Sequence, residues 1–252
     1  MREPLDVEVR AVPTGTIWVL TMHRPAVRHA MDTALLAAMV EALDDAANDP
    51  DLRGLALTGS GGVFSAGADV REVTPDGGRR RMELFTTVYE QLTLLRVPTA
   101  AAIEGPAVGG GAEAAAACDL RVAARSASVR FPGAIYGVPV GFARTIGQVG
   151  LSVAKDWVLS SRDVPAEEAE RRGFVQRLVP DGEALVAALA WLEQVASRDA
   201  ATVALLKRLF AEHGGLRDRV AFENDALRAQ AETGALPSLD ADLPRTVRPR
   251  RR

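Results

Sequence analysis

Apolar and polar positions along the chain change period several times, and each change marks an element. Thr16-Ile-Trp-Val-Leu-Thr-Met22 is β-branched and apolar and predicts a strand. From Asp32 to Asn48, Leu35, Leu36, Met39, Val40 and Leu43 recur at helical spacing behind an aspartate able to cap the first turn. Gly54-Leu-Ala-Leu-Thr58 predicts a short buried strand ending in Gly59-Ser-Gly-Gly62, and Arg79 to Leu95 predicts an amphipathic helix that stops before Pro98. Thr99 to Glu104 as strand, Gly109 to Ala117 as helix and Leu120 to Ala124 as strand repeat the theme. Strand, loop and helix in succession predict a layered α/β core. From Ala166 onward the pattern is mostly helical, with apolar residues three and four apart in Glu183 to Ser197, Ala200 to Glu212 and Arg217 to Glu232. A helical layer after the core is the expectation.

With 48% hydrophobic and 25% charged residues among 252, the chain can bury a sizeable core, so these periods describe packed elements. A net charge of −3 leaves no global basic field, which argues against nucleic acid or an anionic membrane as partner. Any anionic ligand must then be held locally. Cys118 is the only cysteine, which excludes an internal disulfide or a cysteine-based zinc cluster and fits a reducing, cytoplasmic setting. Met1 to Arg10 carries charge throughout and lacks a signal peptide's apolar core, and no apolar run approaches the roughly 20 residues of a membrane span. His23, His29 and His213 share no ligand spacing, so no metal is expected. Arg245 to Arg252 is arginine-rich and reads as a solvated tail.

Two loops carry the candidate chemistry. Val63-Phe-Ser-Ala-Gly-Ala-Asp-Val70 follows the Gly54 strand, and its small residues let a ligand approach the backbone. Glu104-Gly-Pro-Ala-Val-Gly-Gly-Gly-Ala-Glu113 opens an alanine-rich helix, whose unpaired N–H groups and partial positive charge suit an oxygen that becomes anionic. Tight helix packing would also explain the glycines. Glu113, three residues after Gly110, projects from the same helix face and can exchange a proton beside that oxygen. Neither a Gly-x-Ser-x-Gly nucleophile elbow nor a dinucleotide fingerprint is present around Ser65 or Gly59.

His23-Arg-Pro25 with Ala30-Met31, Phe64-Ser-Ala-Gly-Ala-Asp69, Gly105 with Gly109-Gly-Gly-Ala-Glu113, and Ala117-Cys-Asp119 together resemble the crotonase (enoyl-CoA hydratase/isomerase) superfamily in order and spacing. The resemblance implies an α/β fold, a spiral of repeated ββα units over residues 1–180, a C-terminal helical region for trimerisation over 181–244, and a basic tail over 245–252. It implies an acyl-CoA thioester as substrate, no cofactor beyond the coenzyme A of that substrate, and a homotrimer or dimer of trimers. It assigns the oxyanion hole to the backbone N–H groups of Ala68 and Gly110 and proton transfer to Glu113. Contacts to substrate or coenzyme A fall on Ala66, Gly67, Asp69, Val70, Arg28, Gly109, Pro132, Gly133 and Tyr136.

The chain departs from the hydratase pattern at Arg130-Phe-Pro-Gly133, where Gly133 stands in place of that family's second glutamate. No Asp or Glu occurs between Asp119 and Asp156, so the second carboxylate is expected to be missing, with Tyr136 the nearest titratable substitute. Hydratase-like chemistry leads, with decarboxylation, isomerisation, C–C cleavage or non-catalytic acyl-CoA binding as alternatives. If Glu113 is the sole acid/base and the pocket still orients water, Gly133→Glu should raise crotonyl-CoA hydration; the alternative to a solvated tail is that Arg245, Arg248 and Arg250 to Arg252 pair with a coenzyme A phosphate.

Overall fold

The computed structural model describes residues 3–232; the expected basic tail, 245–252, lies outside the described residues. Strands β1 (Leu5–Val12) and β2 (Gly15–Met22) form an antiparallel hairpin. Asp32 then caps α1 (Thr33–Asn48), its carboxylate accepting the Leu35 N–H at 2.8 Å as the pattern predicts. The loop 60–78 separates β3 (Leu52–Gly59) from α2 (Arg79–Leu94). Next come β4 (Thr99–Ile103), β5 (Pro106–Val108), α3 (Gly110–Ala117), β6 (Leu120–Ala124) and β7 (Ser128–Arg130). Three short helices follow, α4 (Gly133–Tyr136), α5 (Phe142–Val149) and α6 (Leu151–Ser160). Then β8 (Val164–Pro165), α7 (Ala166–Arg171) and β9 (Arg177–Val179) lead into α8 (Ala184–Ala196), α9 (Ala200–His213) and α10 (Leu216–Glu232).

The main sheet runs β1-β2-β3-β4-β6-β9, and every pairing beyond the first hairpin is parallel. Parallel strands need cover on both faces, which is why β4 and β6 are buried along their whole length. One face packs against α1 and α2 through Leu35, Leu36, Met39, Val88 and Leu92. The other carries α8, whose Ala188, Leu189 and Leu192 sit on Ile17, Val19, Ala56, Ala100 and Val122. Helix α8 thus belongs to the sheet, while α9 and α10 cross α2 and α5. A small sheet, β5-β7-β8, stands beside the loop that follows β3.

In parallel neighbours the carboxyl ends lie at one edge, so the loops leaving β3 and β4 emerge side by side. The two candidate loops are those two connections.

Candidate active site

The loops are joined by backbone hydrogen bonds into one cradle. The Ser65 N–H donates to Pro106 O at 3.1 Å and the Val108 N–H to Ser65 O at 2.9 Å. On the other side, the Met31 N–H donates to Gly67 O at 2.7 Å, the Asp69 N–H to Met31 O at 2.9 Å, and the Ala66 N–H to Arg28 O at 2.9 Å. Residues Ser65 to Asp69 therefore lie between β5 and the segment 28–31, joined to them by isolated bridges at Ser65 and Ala68. Gly67 adopts φ 86°, and a Cβ there would lie 2.5 Å from Val108 O and 3.2 Å from Gly110 N. Only glycine fits that place. Gly110 opens α3, where the first N–H groups lack helical partners. Among the described residues neither the Ala68 nor the Gly110 N–H has a hydrogen-bond acceptor, and both residues are only half-buried.

Behind the cradle lies a buried ionic cluster. Glu113 follows Gly110 by one helical turn and is 2% exposed, and neither carboxylate oxygen has a hydrogen-bond partner among the described residues. Arg144 of α5 brings Nη1 to 3.5 Å from Glu113 Oε2, an ion-pair distance without hydrogen-bond geometry. The same Nη1 donates to Glu223 Oε1 at 3.2 Å. Glu223, from α10, accepts the Gly141 and Ala143 N–H groups at 3.0 and 3.1 Å through its other oxygen, and so caps the start of α5 from a distant helix. The Arg144 guanidinium lies 5.1 Å over the Tyr89 ring, and the Tyr89 hydroxyl donates to Gly110 O at 3.3 Å. Tyr89 connects the cluster to the cradle.

Burial, and next the charge of Glu223, push the Glu113 carboxyl up to about 8, against the pull of Arg144. Burial also raises Glu223, while Arg144 and the backbone N–H groups of Ala143 and Gly141 oppose it. Hydrogen bonds to the charged form favour ionisation, and Glu223 accepts three whereas Glu113 accepts none. Hydrogen bonding therefore favours the charge on Glu223 and the proton on Glu113.

Residues 13–231 match the sequence profile of the enoyl-CoA hydratase/isomerase family. The chain belongs to that family. Enoyl-CoA hydratase EchA19 of Mycobacterium tuberculosis is 34% identical over 220 residues, covering 84% of this chain and 83% of its own. A putative enoyl-CoA hydratase of Thermus thermophilus is 34% identical over 213 residues, covering 81% and 84%. Among solved structures, a monofunctional enoyl CoA isomerase from M. smegmatis superposes with a TM-score of 0.73 at 30% identity, over 84% of this chain and 94% of its own. Pseudomonas aeruginosa DspI superposes with a TM-score of 0.78 at 31% identity, over 92% and 87%. The protein is a hydratase/isomerase-family enzyme of the acyl-CoA class with the crotonase fold, as the sequence resemblance implies.

Within this family frame, the structure brings Ala66, Gly67, Ala68, Gly109, Gly110 and Arg28 to one place, with Arg28 exposed and its carbonyl bonded to Ala66. Asp69 accepts from Arg24 Nη1 at 3.1 Å while Arg24 Nη2 pairs with Asp32 at 2.8 Å, which ties the cradle to the cap of α1. Val70 is exposed and Pro132 buried. Tyr136 is half-buried on α4 and makes no hydrogen bond through its hydroxyl among the described residues. The tyrosine that reaches the cluster is Tyr89. A Cβ on the buried Gly133 would lie 2.5 Å from Val138 O and 2.9 Å from Val140 Cγ2, so no acidic side chain fits without moving the 138–140 turn. That crowding argues against the expected rescue by Gly133→Glu. The second hydratase glutamate remains absent at Gly133, and Glu223 brings a further carboxylate to the neighbourhood of Glu113 from a different helix.

Tyr89, Arg144 and Glu223 escaped the sequence reading. For Glu223 a sequence signal exists: it stands three residues after Val220 and four before Leu227, on the apolar stripe of its helix, and the structure buries all three. A hollow of about 370 Å³, lined by residues including Arg96, Lys207 and Arg208, lies between the end of α2 and α9 and contains no cluster residue.

Proposed function

We propose that the protein adds water across the double bond of an α,β-unsaturated acyl-CoA. The Ala68 and Gly110 N–H groups hold the thioester oxygen as it becomes an enolate oxygen, and Glu113 exchanges the protons. The observation that carries this reading is a buried carboxyl, one turn from an oxyanion donor, with both oxygens unpartnered among the described residues. In its neutral form, one Glu113 oxygen gives its proton to the α-carbon while the other takes a proton from the water attacking the β-carbon. The carboxyl ends as it began, and one acid suffices. Each backbone donor typically contributes about 3 kcal/mol of transition-state stabilisation.

Decarboxylation is the second reading, favoured by Gly133, which leaves α4 without an acid. Loss of carbon dioxide from a thioester carrying a carboxylate on its α-carbon generates the enolate directly, and neutral Glu113 then supplies a proton to the α-carbon. A panel of acyl-CoA thioesters followed by mass spectrometry tests both. Gain of one water supports the first reading; loss of carbon dioxide, or an unchanged mass with a moved double bond, replaces it.

On this reading coenzyme A enters as part of the substrate, along Ala66, Gly67 and Arg28, with no further cofactor, and the setting is cytoplasmic. Among the described residues no helix is long and apolar enough to cross a membrane. A homotrimer or dimer of trimers is supported by apolar side chains left uncovered on the last two helices, Phe210 at 75% and Phe222 at 69% exposure. Light scattering checks this, and a monomer at micromolar concentration would remove it.

A further inference from the structure

Arg144 serves two carboxylates with one nitrogen. Its Nη1 stands 3.2 Å from Glu223 Oε1 and 3.5 Å from Glu113 Oε2, and all three side chains are between 1% and 3% exposed. Full ionisation would leave one negative charge uncompensated in a buried site, so one proton must be held there. Geometry decides where. Glu223 is fixed by two backbone N–H groups at the start of α5 and by Arg144, whereas Glu113 has only the longer approach of Nη1.

We propose that Glu223 is a positioning residue for catalysis: delivered by α10, it occupies Arg144 and so keeps Glu113 in the neutral, proton-giving form. The inference rests on the reading of Glu113 as the proton carrier. Glu223 touches no reacting atom and acts through Arg144. Charged and titratable groups facing Glu113 come from three elements: Tyr89 on α2, Arg144 on α5 and Glu223 on α10. Tyr89 remains a neutral phenol, since burial and then the nearby charge of Glu113 raise it well above its ordinary range. The proton balance is therefore set by Arg144 and Glu223. Docking of α10 onto α5 is coupled to the protonation of a residue on α3.

Signs follow from the arrangement. Without the Glu223 charge, Arg144 is left to Glu113 alone, and Glu113 ionises more readily. Without the Arg144 charge, Glu113 holds its proton more tightly. The test uses the full chain and infrared spectroscopy, with the Glu113 carboxyl band identified by its loss in Glu113→Gln. Wild-type protein should titrate at about 8. Glu223→Gln should move that midpoint down by about one unit, roughly a tenfold weaker hold on the proton, and Arg144→Met should move it up. The fall of kcat at high pH should shift in the same opposed directions.

A purely structural role would lower activity in both variants without opposed shifts. A folded Glu223→Gln, verified by circular dichroism, that titrates at the wild-type midpoint would overturn the inference. If Glu223→Gln does not fold, Arg144→Met decides alone, and an unmoved midpoint there overturns it equally. Undiminished turnover in Glu113→Gln would instead remove the proton-carrier reading, and the catalytic half of the inference with it, whatever the titration shows.

Discussion

The cradle and the cluster solve different problems with different materials. The cradle is backbone, made of small residues from two loops at the ends of adjacent parallel strands, and its geometry is fixed by main-chain hydrogen bonds. The cluster is side chain, drawn from α2, α3, α5 and α10, and its geometry is fixed by charge. Added bulk breaks the first and an altered charge breaks the second. Where an oxyanion is held is thus a local property of the chain, whereas where a proton is held is a property of the tertiary fold.

The sharpest separation of the two comes from Glu113→Gln. It should lower kcat by about 10²–10⁴-fold while leaving acyl-CoA affinity within a few-fold, because the cradle is untouched. A turnover within tenfold of wild type would remove the side-chain half of the comparison. The cradle is harder to probe, since a Cβ on Gly110 would lie 2.5 Å from Phe85 Cε1 and 3.1 Å from the Tyr89 hydroxyl. Gly110→Val therefore disturbs packing as well as the donor. Gly110→Pro in a Phe85→Ala background makes room and removes the N–H, and should cost about 10²–10³-fold in kcat relative to Phe85→Ala alone. Matching circular dichroism is required, and equal rates in the two proteins would sink the Gly110 assignment.

Smaller effects test the surroundings. Gly133→Glu should destabilise the protein by about 1–3 kcal/mol through overpacking against Val138 and Val140 and gain no hydration, as chemical denaturation and a crotonyl-CoA assay would record. A further test is one of pH. A Glu113 carboxyl raised from 4.5 to about 8 binds a proton that the unfolded chain has released, so stability falls as pH rises through that window. Glu113→Gln should lose that slope, and melting curves of the two proteins that stay parallel from pH 5 to pH 8 would contradict the placement of the proton.

Much of the fold was legible because its signals are local. The helix behind Asp32 begins at Thr33 and the strand at Leu120–Ala124 has the predicted bounds, since cap and period lie within a few residues. Strand β1 alternates Leu5, Val7 and Val9 with Asp6, Glu8 and Arg10, a strand period masked by the charge of the terminal stretch, and Val7 and Val9 stay exposed at the edge of the sheet. Helix α5 does carry a helical period, in Phe142, Ile146 and Val149, but it is short and is closed by Gly150 before α6 begins, while β5, β7 and β8 are too short to show a period. The cradle was legible because Gly67 and Gly110 are needed where they stand. The cluster was not, because Glu223 lies 110 positions beyond Glu113 and meets it only through Arg144.

Arg24 gives the cradle a timescale. By pairing with Asp69 and Asp32 at once, it pins the loop after β3 to the head of α1, at a point where the Asp69 and Met31 amides hold the loop edge. Those amides can exchange with deuterated solvent only when this junction parts. With the guanidinium in place, opening should be a rare excursion on the scale of subglobal unfolding; in Arg24→Met the loop should part on its own, with the Asp69 amide exchanging well before the amides of β3. The oxyanion donors would then spend part of each second out of register with Glu113, with no residue of the site itself altered.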